Sequence, residues 1–231
     1  MRPDEFGVLF DVDGTLVDTT YLHAVCWWEA LRQSGYDVPM ARIHRAVGMG
    51  SDRLLDHLLG RDRDQSGDDA LSAAHLTLYA AYWGRLRPLP GAADLLRACA
   101  ARGWRVVLAS SASDRELGAL RRALDADDVI AVATTKDDAG ASKPAPDILQ
   151  VALDKAGLDP RSAAFVGDAV WDVEAAARAG VPCVAVSCGG TSAAELTDAG
   201  AVAVYDDPGA ILADLDGALT ERLHRAAAPS R

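Results

Sequence analysis

The sequence predicts an α/β protein: a doubly wound, Rossmann-like parallel sheet carrying a small inserted α-helical domain. Three observations predict it. Short, nearly continuous apolar runs alternate with helix-period segments through most of the chain, as expected of parallel strands covered on both faces. That alternation stops between residues 18 and 87, where only helical segments are found. It resumes after Pro88-Leu89-Pro90-Gly91, a turn-rich stretch that returns the chain to the strand–helix pattern. The division is therefore 1–17 with 88–231 for the core, and 18–87 for the helical insertion.

The elements follow in order. Val8-Leu9-Phe10 is the first strand. Helices are predicted over 20–33, 40–47, 51–59 and 68–83, with a polar loop at 61–67. Strands are then predicted at 104–109, 129–132, 163–166 and 183–186, with a sixth candidate at 201–204. Ser113 with Glu116, and Ser192 with Glu195, fit capping boxes that open helices. Pro146 suits the first turn of another helix. Gly180, followed by Pro182, suits a left-handed C-cap. The tail Ala226-Ala227-Ala228-Pro229-Ser230-Arg231 is expected to fray.

Composition narrows the function. Of 231 residues, 34 are acidic and 23 basic, a formal net charge of −11. Such an excess repels nucleic-acid backbones and anionic lipid, so neither nucleic acid nor a membrane surface is the expected partner. No apolar run approaches the roughly 18 residues a membrane span needs. The run at 6–10 is too short for a signal-peptide core. The four cysteines show no C-x-x-C pair and no zinc spacing, which reads as reduced thiols and a cytoplasmic setting. Most of the acidic surplus reads as solvated surface.

Part of the acid, however, falls at predicted strand ends, where open α/β sheets bind their ligands. The first strand runs into Asp11-Val12-Asp13-Gly14-Thr15. Taken alone this segment could be an ordinary turn, since Asp, Gly and Thr favour turns. Three more motifs meet it at the same edge. One strand ends in Ser110-Ser111, Ser142-Lys143-Pro144 places a lysine just before a helix, and another strand ends in Gly167-Asp168 with Asp172 four residues on.

With these four motifs in this order, the sequence resembles the haloacid dehalogenase-like phosphatase superfamily over nearly its whole length. The helical block resembles the small cap of the phosphoglycolate phosphatase and β-phosphoglucomutase group, a less specific likeness. The resemblance implies a nucleophile, Asp11, that forms an aspartyl-phosphate. Asp13 is then the general acid and later the base, with its backbone carbonyl a metal contact. The carboxylates of Asp11 and Asp168 are implied to hold Mg²⁺, with Asp172 supporting a metal-bound water or orienting Lys143. Ser110 and Lys143 are implied to hold the transferring phosphoryl group, and backbone N–H groups near Val12, Asp13 and Ser111 to complete its cradle. Charge counting points the same way: four acids facing one lysine raise each other's pKa unless a cation intervenes.

The substrate expected is a small phosphorylated metabolite, and the expected assembly a monomer or weak homodimer. Asp13 and Asp168 together favour phosphoryl transfer over the metal-free dehalogenases of the superfamily. A phosphomutase is the runner-up, and a non-catalytic phospholigand-binding module a third reading. Gly167, where β-phosphoglucomutases carry an acid, and a cap loop at 48–53 without a clear phosphate-binding arginine, favour a phosphatase. His23 and Trp27 share one helix face, either over the active site or packed among cap helices. Arg53 either meets an anionic substrate or pairs with Asp56. Thr19 and the segment 86–89 are candidate hinges.

Overall fold

The computed structural model describes residues 6–220; the expected fraying of 226–231 lies outside them. Its sheet has six strands: β1 (Gly7–Phe10), β2 (Arg105–Ala109), β3 (Ile130–Thr134), β4 (Ala163–Gly167), β5 (Cys183–Val186) and β6 (Ala203–Tyr205). They lie in the order β3-β2-β1-β4-β5-β6, and every pairing is parallel. From β1 the chain winds one way to β2 and β3, then crosses to β4, β5 and β6. The crevice at the ends of β1 and β4 is thus the switch point of the sheet.

Alternation along each strand divides the core. Val8, Phe10, Val106, Leu108, Val166 and Val184 face one apolar layer, whereas Leu9, Val107, Phe165, Cys183 and Ala185 face the other. The layers are completed by α5 (Ala92–Ala101), α6 (Asp114–Leu124), α7 (Asp147–Ala156), α8 (Val170–Ala179), α9 (Ala193–Asp198) and α10 (Pro208–Ala213). The expected capping bonds form: Ser113 N–H donates to Glu116 Oε2 at 2.8 Å, and Glu195 N–H to Ser192 Oγ at 3.3 Å. Gly180 ends α8 at φ 73°, and Pro146 stands immediately before α7. The sixth strand begins later than its sequence suggests, because Ala201 N–H is spent on Leu196 O, closing the end of α9. The third is displaced similarly, with Val129 N–H turned to Ala126 O.

Between β1 and β2 come α1 (Thr20–Gln33), α2 (Met40–Ala46), α3 (Ser51–Leu59) and α4 (Asp68–Ala80). Trp27, Leu31, Ile43, Leu54, Leu55 and Leu71 form a separate apolar cluster among these helices. The helix α4 stops short of residue 83: bonds from Ala81 to Leu78 and from Tyr82 to Tyr79 tighten it into a 3₁₀ turn at Trp83–Arg85. Similarly, α2 stops at Ala46 because Val47 is extended and Gly48 sits at φ 99°. The chain leaves and rejoins the sheet side by side. Asp18 N–H donates to Arg87 O at 3.0 Å, and Leu89 N–H to Leu16 O at 2.8 Å.

Candidate active site

The parallel sheet brings one acid or base to its carboxyl edge from each of several strands. Asp11 N–H continues the ladder to Val166 O at 2.9 Å, which fixes the residue directly beyond β1. Lys143, on the loop before α7, is 1% exposed and places Nζ 2.5 Å from Asp11 Oδ1 and 2.8 Å from Asp172 Oδ1. Asp172, in the first turn of α8, turns Oδ2 toward the N–H groups of Asp168 and Ala169, at 3.2 and 3.0 Å. Thr15 donates to Asp168 Oδ1 at 2.9 Å. Every charged group here is therefore held by an ion pair or a hydrogen bond.

Burial sets the electrostatics. It pushes the Asp11 carboxyl up to about 7, against the pull of Lys143, and Asp172 adds to the rise. Asp168 is also driven well above the ordinary carboxylate range by burial, then by Asp172 and Asp11. Lys143 moves up despite its burial, because Asp11 and Asp172 stabilise its charge. Carboxylate oxygens of Asp11, Asp168 and Asp172 lie within 4.8 Å of one another.

That crowding is a test of whether the residues suit a metal ion. One lysine does not offset three close carboxylates, and an all-oxygen acidic set is what a hard divalent cation prefers. The backbone also packs closely on Asp168: a Cβ at Gly189 would lie 1.7 Å from its Oδ2, so only glycine leaves that carboxylate its place. The residues fit such a cation, with Asp11 and Asp168 as its carboxylates. Both oxygens of Asp172 are already engaged, which suits a supporting role. The Asp13 carboxylate turns away from this group, so only its backbone is left to serve a metal.

Instead Asp13 faces the helical block. Its Oδ1 accepts a hydrogen bond from Thr19 Oγ1 at 2.8 Å and lies 3.1 Å from His23 Nε2. Burial works to raise the Asp13 carboxyl, but the His23 charge and the hydrogen bonds outweigh it and hold it low. His23 moves up for the reciprocal reason: burial opposes its charge and Asp13 overrides burial. Its Nδ1 lies 3.1 Å from Nε2 of His75, on α4. Burial keeps His75 well below the ordinary imidazole range, and His23 and Lys136 add to this. A protonated His23 can thus donate to Asp13 at one nitrogen and to neutral His75 at the other. Trp27 stacks on His75 with ring centres 4.2 Å apart, and Tyr79 packs against His23 at 4.0 Å.

A cleft of about 370 Å³ opens between the sheet edge and the helical block, lined by Asp11, Asp13, His23, Trp27, Met49 and Ser111, among others. Of the two serines after β2, Ser111 lines it. Ser110 is enclosed, its Oγ accepting Ala112 N–H at 3.0 Å. Both His23 and Trp27 line the cleft, and Trp27 also packs in the helical core. Arg53 is not among the residues that line the cleft, and it does not pair with Asp56. It sits 3.8 Å from Asp52, and Asp56 is taken by Arg61 and Arg63 from the loop beyond α3. The sequence reading missed the roles of Thr15 and Thr19, although both lie in or beside the acidic motif. It missed His75 altogether, since only the packing of α1 on α4 brings it to His23.

Fold and site together define a class: a doubly wound α/β protein with a buried acid–lysine centre at the sheet's switch point and a helical block over it. Residues 7–180 match the model of the haloacid dehalogenase-like hydrolase family. The chain belongs to that family. It is 33% identical over 211 residues to the phosphoglycolate phosphatase of Rhodospirillum rubrum, covering 87% of each protein. The crystal structure of a hydrolase from Pseudomonas syringae superposes with a TM-score of 0.87 at 33% identity, covering 92% of this chain and 98% of that one. A β-phosphoglucomutase from Clostridium difficile shares the fold at 18% identity and a TM-score of 0.80, over 95% and 97% of the two chains. Among the described residues, no helix is long and apolar enough to cross a membrane.

Proposed function

We propose that this protein is a Mg²⁺-dependent phosphatase that hydrolyses a small phosphorylated metabolite through an aspartyl-phosphate on Asp11. The observation that carries the reading is the pairing of two unlike acids on one cleft. Asp11 is fixed by Lys143, and Asp13 is fixed by Thr19 and His23. Resident Mg²⁺, held by Asp11, Asp168 and the Asp13 carbonyl, would supply positive charge to the phosphoryl oxygens and keep Asp11 ionised.

The chain's own residues do the rest. An Asp11 carboxylate oxygen bonds to phosphorus as the bond to the leaving oxygen breaks, and Lys143 Nζ offsets charge gathered there. Asp13 passes to the leaving oxygen the proton that His23 holds 3.1 Å away, and is left ionised. Asp13 then takes a proton from water as that water attacks phosphorus, which returns Asp11 as a carboxylate and releases phosphate. Ser111 and nearby N–H groups hold the phosphoryl oxygens, with the enclosed Ser110 fixing the loop through Ala112 N–H. The block 18–87 serves as a cap that excludes bulk water and, through His23 and Trp27, chooses the leaving group.

Hydrolysis is favoured over mutase chemistry by Gly167. A Cβ there would meet Asp172 Cβ at 2.5 Å and its Oδ2 at 2.8 Å, so the acid that β-phosphoglucomutases carry has no room. Phosphate release across a panel of small phosphoesters, with Asp11→Asn as the blank, tests the reading. Turnover should fall by about 10³-fold or more in the variant while the fold persists. A sugar 1-phosphate converted to its 6-phosphate isomer faster than phosphate appears would establish the mutase instead.

A further inference from the structure

The molecule has a second large cleft, about 550 Å³, on the far side of Met49 from the active cleft. Its walls are α3 with the loop after it on one side, and residues 144–146 with the last turn of α8 on the other. Arg53 and Arg61 enter from the helical block and Arg178 from the core, while among the described residues Asp56 is the one carboxylate in the lining. In a chain of net charge −11, three guanidinium groups enter one concave seam, with Asp52, Asp56 and Glu174 as their acid neighbours.

Two of these arginines are loosely held. Arg53 is 3.8 Å from Asp52 and Arg61 is 3.6 Å from Asp56, separations at which exposed pairs contribute little. Asp56 itself is bonded to Arg63 at 2.9 Å, so Arg61 shares its acid. Arg178 has one nitrogen on Glu174, at 2.9 Å, and another on the carbonyl of Pro144. Planar guanidinium forks aimed from two sides suit a compact oxyanion with several equivalent oxygens.

We propose that this seam is a second, non-catalytic binding site for a phosphate-type dianion, formed jointly by the cap and the core. An anion held there ties α3 to α8 and so favours the arrangement in which the cap lies against the sheet. It also acts beside the loop of Lys143: Arg178 holds the carbonyl of the very next residue, and Lys143 holds Asp11. Occupancy at the seam therefore reaches the nucleophile through one side chain. The kinetic consequence rests on the phosphatase reading, whereas the binding does not.

The test is calorimetric titration of the Mg²⁺-loaded protein with inorganic phosphate at constant ionic strength. Two phosphates per chain are expected, one in the active cleft and one at the seam. Arg53→Gln with Arg61→Gln should weaken one of them by roughly tenfold per arginine and leave the other, with turnover in phosphate-free buffer unchanged. Arg61→Gln alone, at a largely exposed side chain, gives the same partial loss should the double variant fold poorly. In steady-state assays, phosphate should lower kcat as well as raise KM in the parent, and only raise KM in the variant. One phosphate per chain in the parent, or equal binding by parent and variant, overturns the seam site. No turnover on any phosphoester, with two phosphates still bound, overturns only the phosphatase reading.

Discussion

The two walls of the active cleft are built on opposite principles. The sheet wall is a set of buried charges: Asp11, Lys143, Asp168 and Asp172 converge from distant parts of the chain, each fixed by a strand end or a helix start. The cap wall is rings. Trp27, His75, Tyr79 and His23 stack on one another, and it is imidazole rather than a fixed charge that reaches across to Asp13. Charge that must not move belongs on the rigid sheet. A surface that has to approach and withdraw is better made of groups whose contacts do not leave an ion stranded.

Breaking the sheet wall should have the largest effect. Lys143→Met leaves buried carboxylates facing each other, so phosphate release should fall by about 10²- to 10³-fold. Loss of one partner from a buried ion cluster also costs on the order of 3 kcal/mol, which should appear as a lower Tm. An active, equally stable Lys143→Met protein would remove the distinction between the walls.

Removing metal should expose the same wall more gently. In metal-free protein, Asp11 binds its proton up to about pH 7, far above its unfolded value of 3.8. A raised carboxylate gives the folded state the extra proton between those values, so stability should fall as pH rises from about 4 to 7. Thermal melts in chelator should therefore drop by several degrees across that window. Mg²⁺ should restore stability most at its upper end, where the carboxylates are ionised and binding is tightest. A metal-free Tm that rises through this window would contradict the crowded-acid account.

The smallest effect should come from the cap. His75→Phe keeps the stack on Trp27 but removes the nitrogen facing His23 Nδ1, so kcat should fall by only about tenfold. The acidic limb of the pH–rate profile should move with it. If only KM changed, His75 would be a packing residue and the ring wall a purely steric one.

The sheet wall was also the more legible in sequence. Asp11 and Asp168 follow apolar runs that can only be buried strands, and Lys143 precedes a helix start, so topology alone brings them to one edge. Hydroxyl directions were not legible: Thr15 and Thr19 lie within or beside the acidic motif, but their rotamers decide which acid each one serves. The cap was harder because its contacts depend on which helix meets which. Helical spacing joined His23 to Trp27 but could not bring His75 across from α4. It also suggested Asp56 as a partner for Arg53, three residues on, whereas the chain beyond α3 folds back and supplies Arg61 and Arg63 to that acid first.

The paired crossings at Asp18–Arg87 and Leu16–Leu89 carry one last consequence. Because the cap leaves and returns through a single doorway, the sheet does not register what lies between. Another insertion of different length or shape could be grafted at that doorway without disturbing the register of β1 on β2. Substrate choice can then diversify by transplantation while the chemistry stays where the strands end.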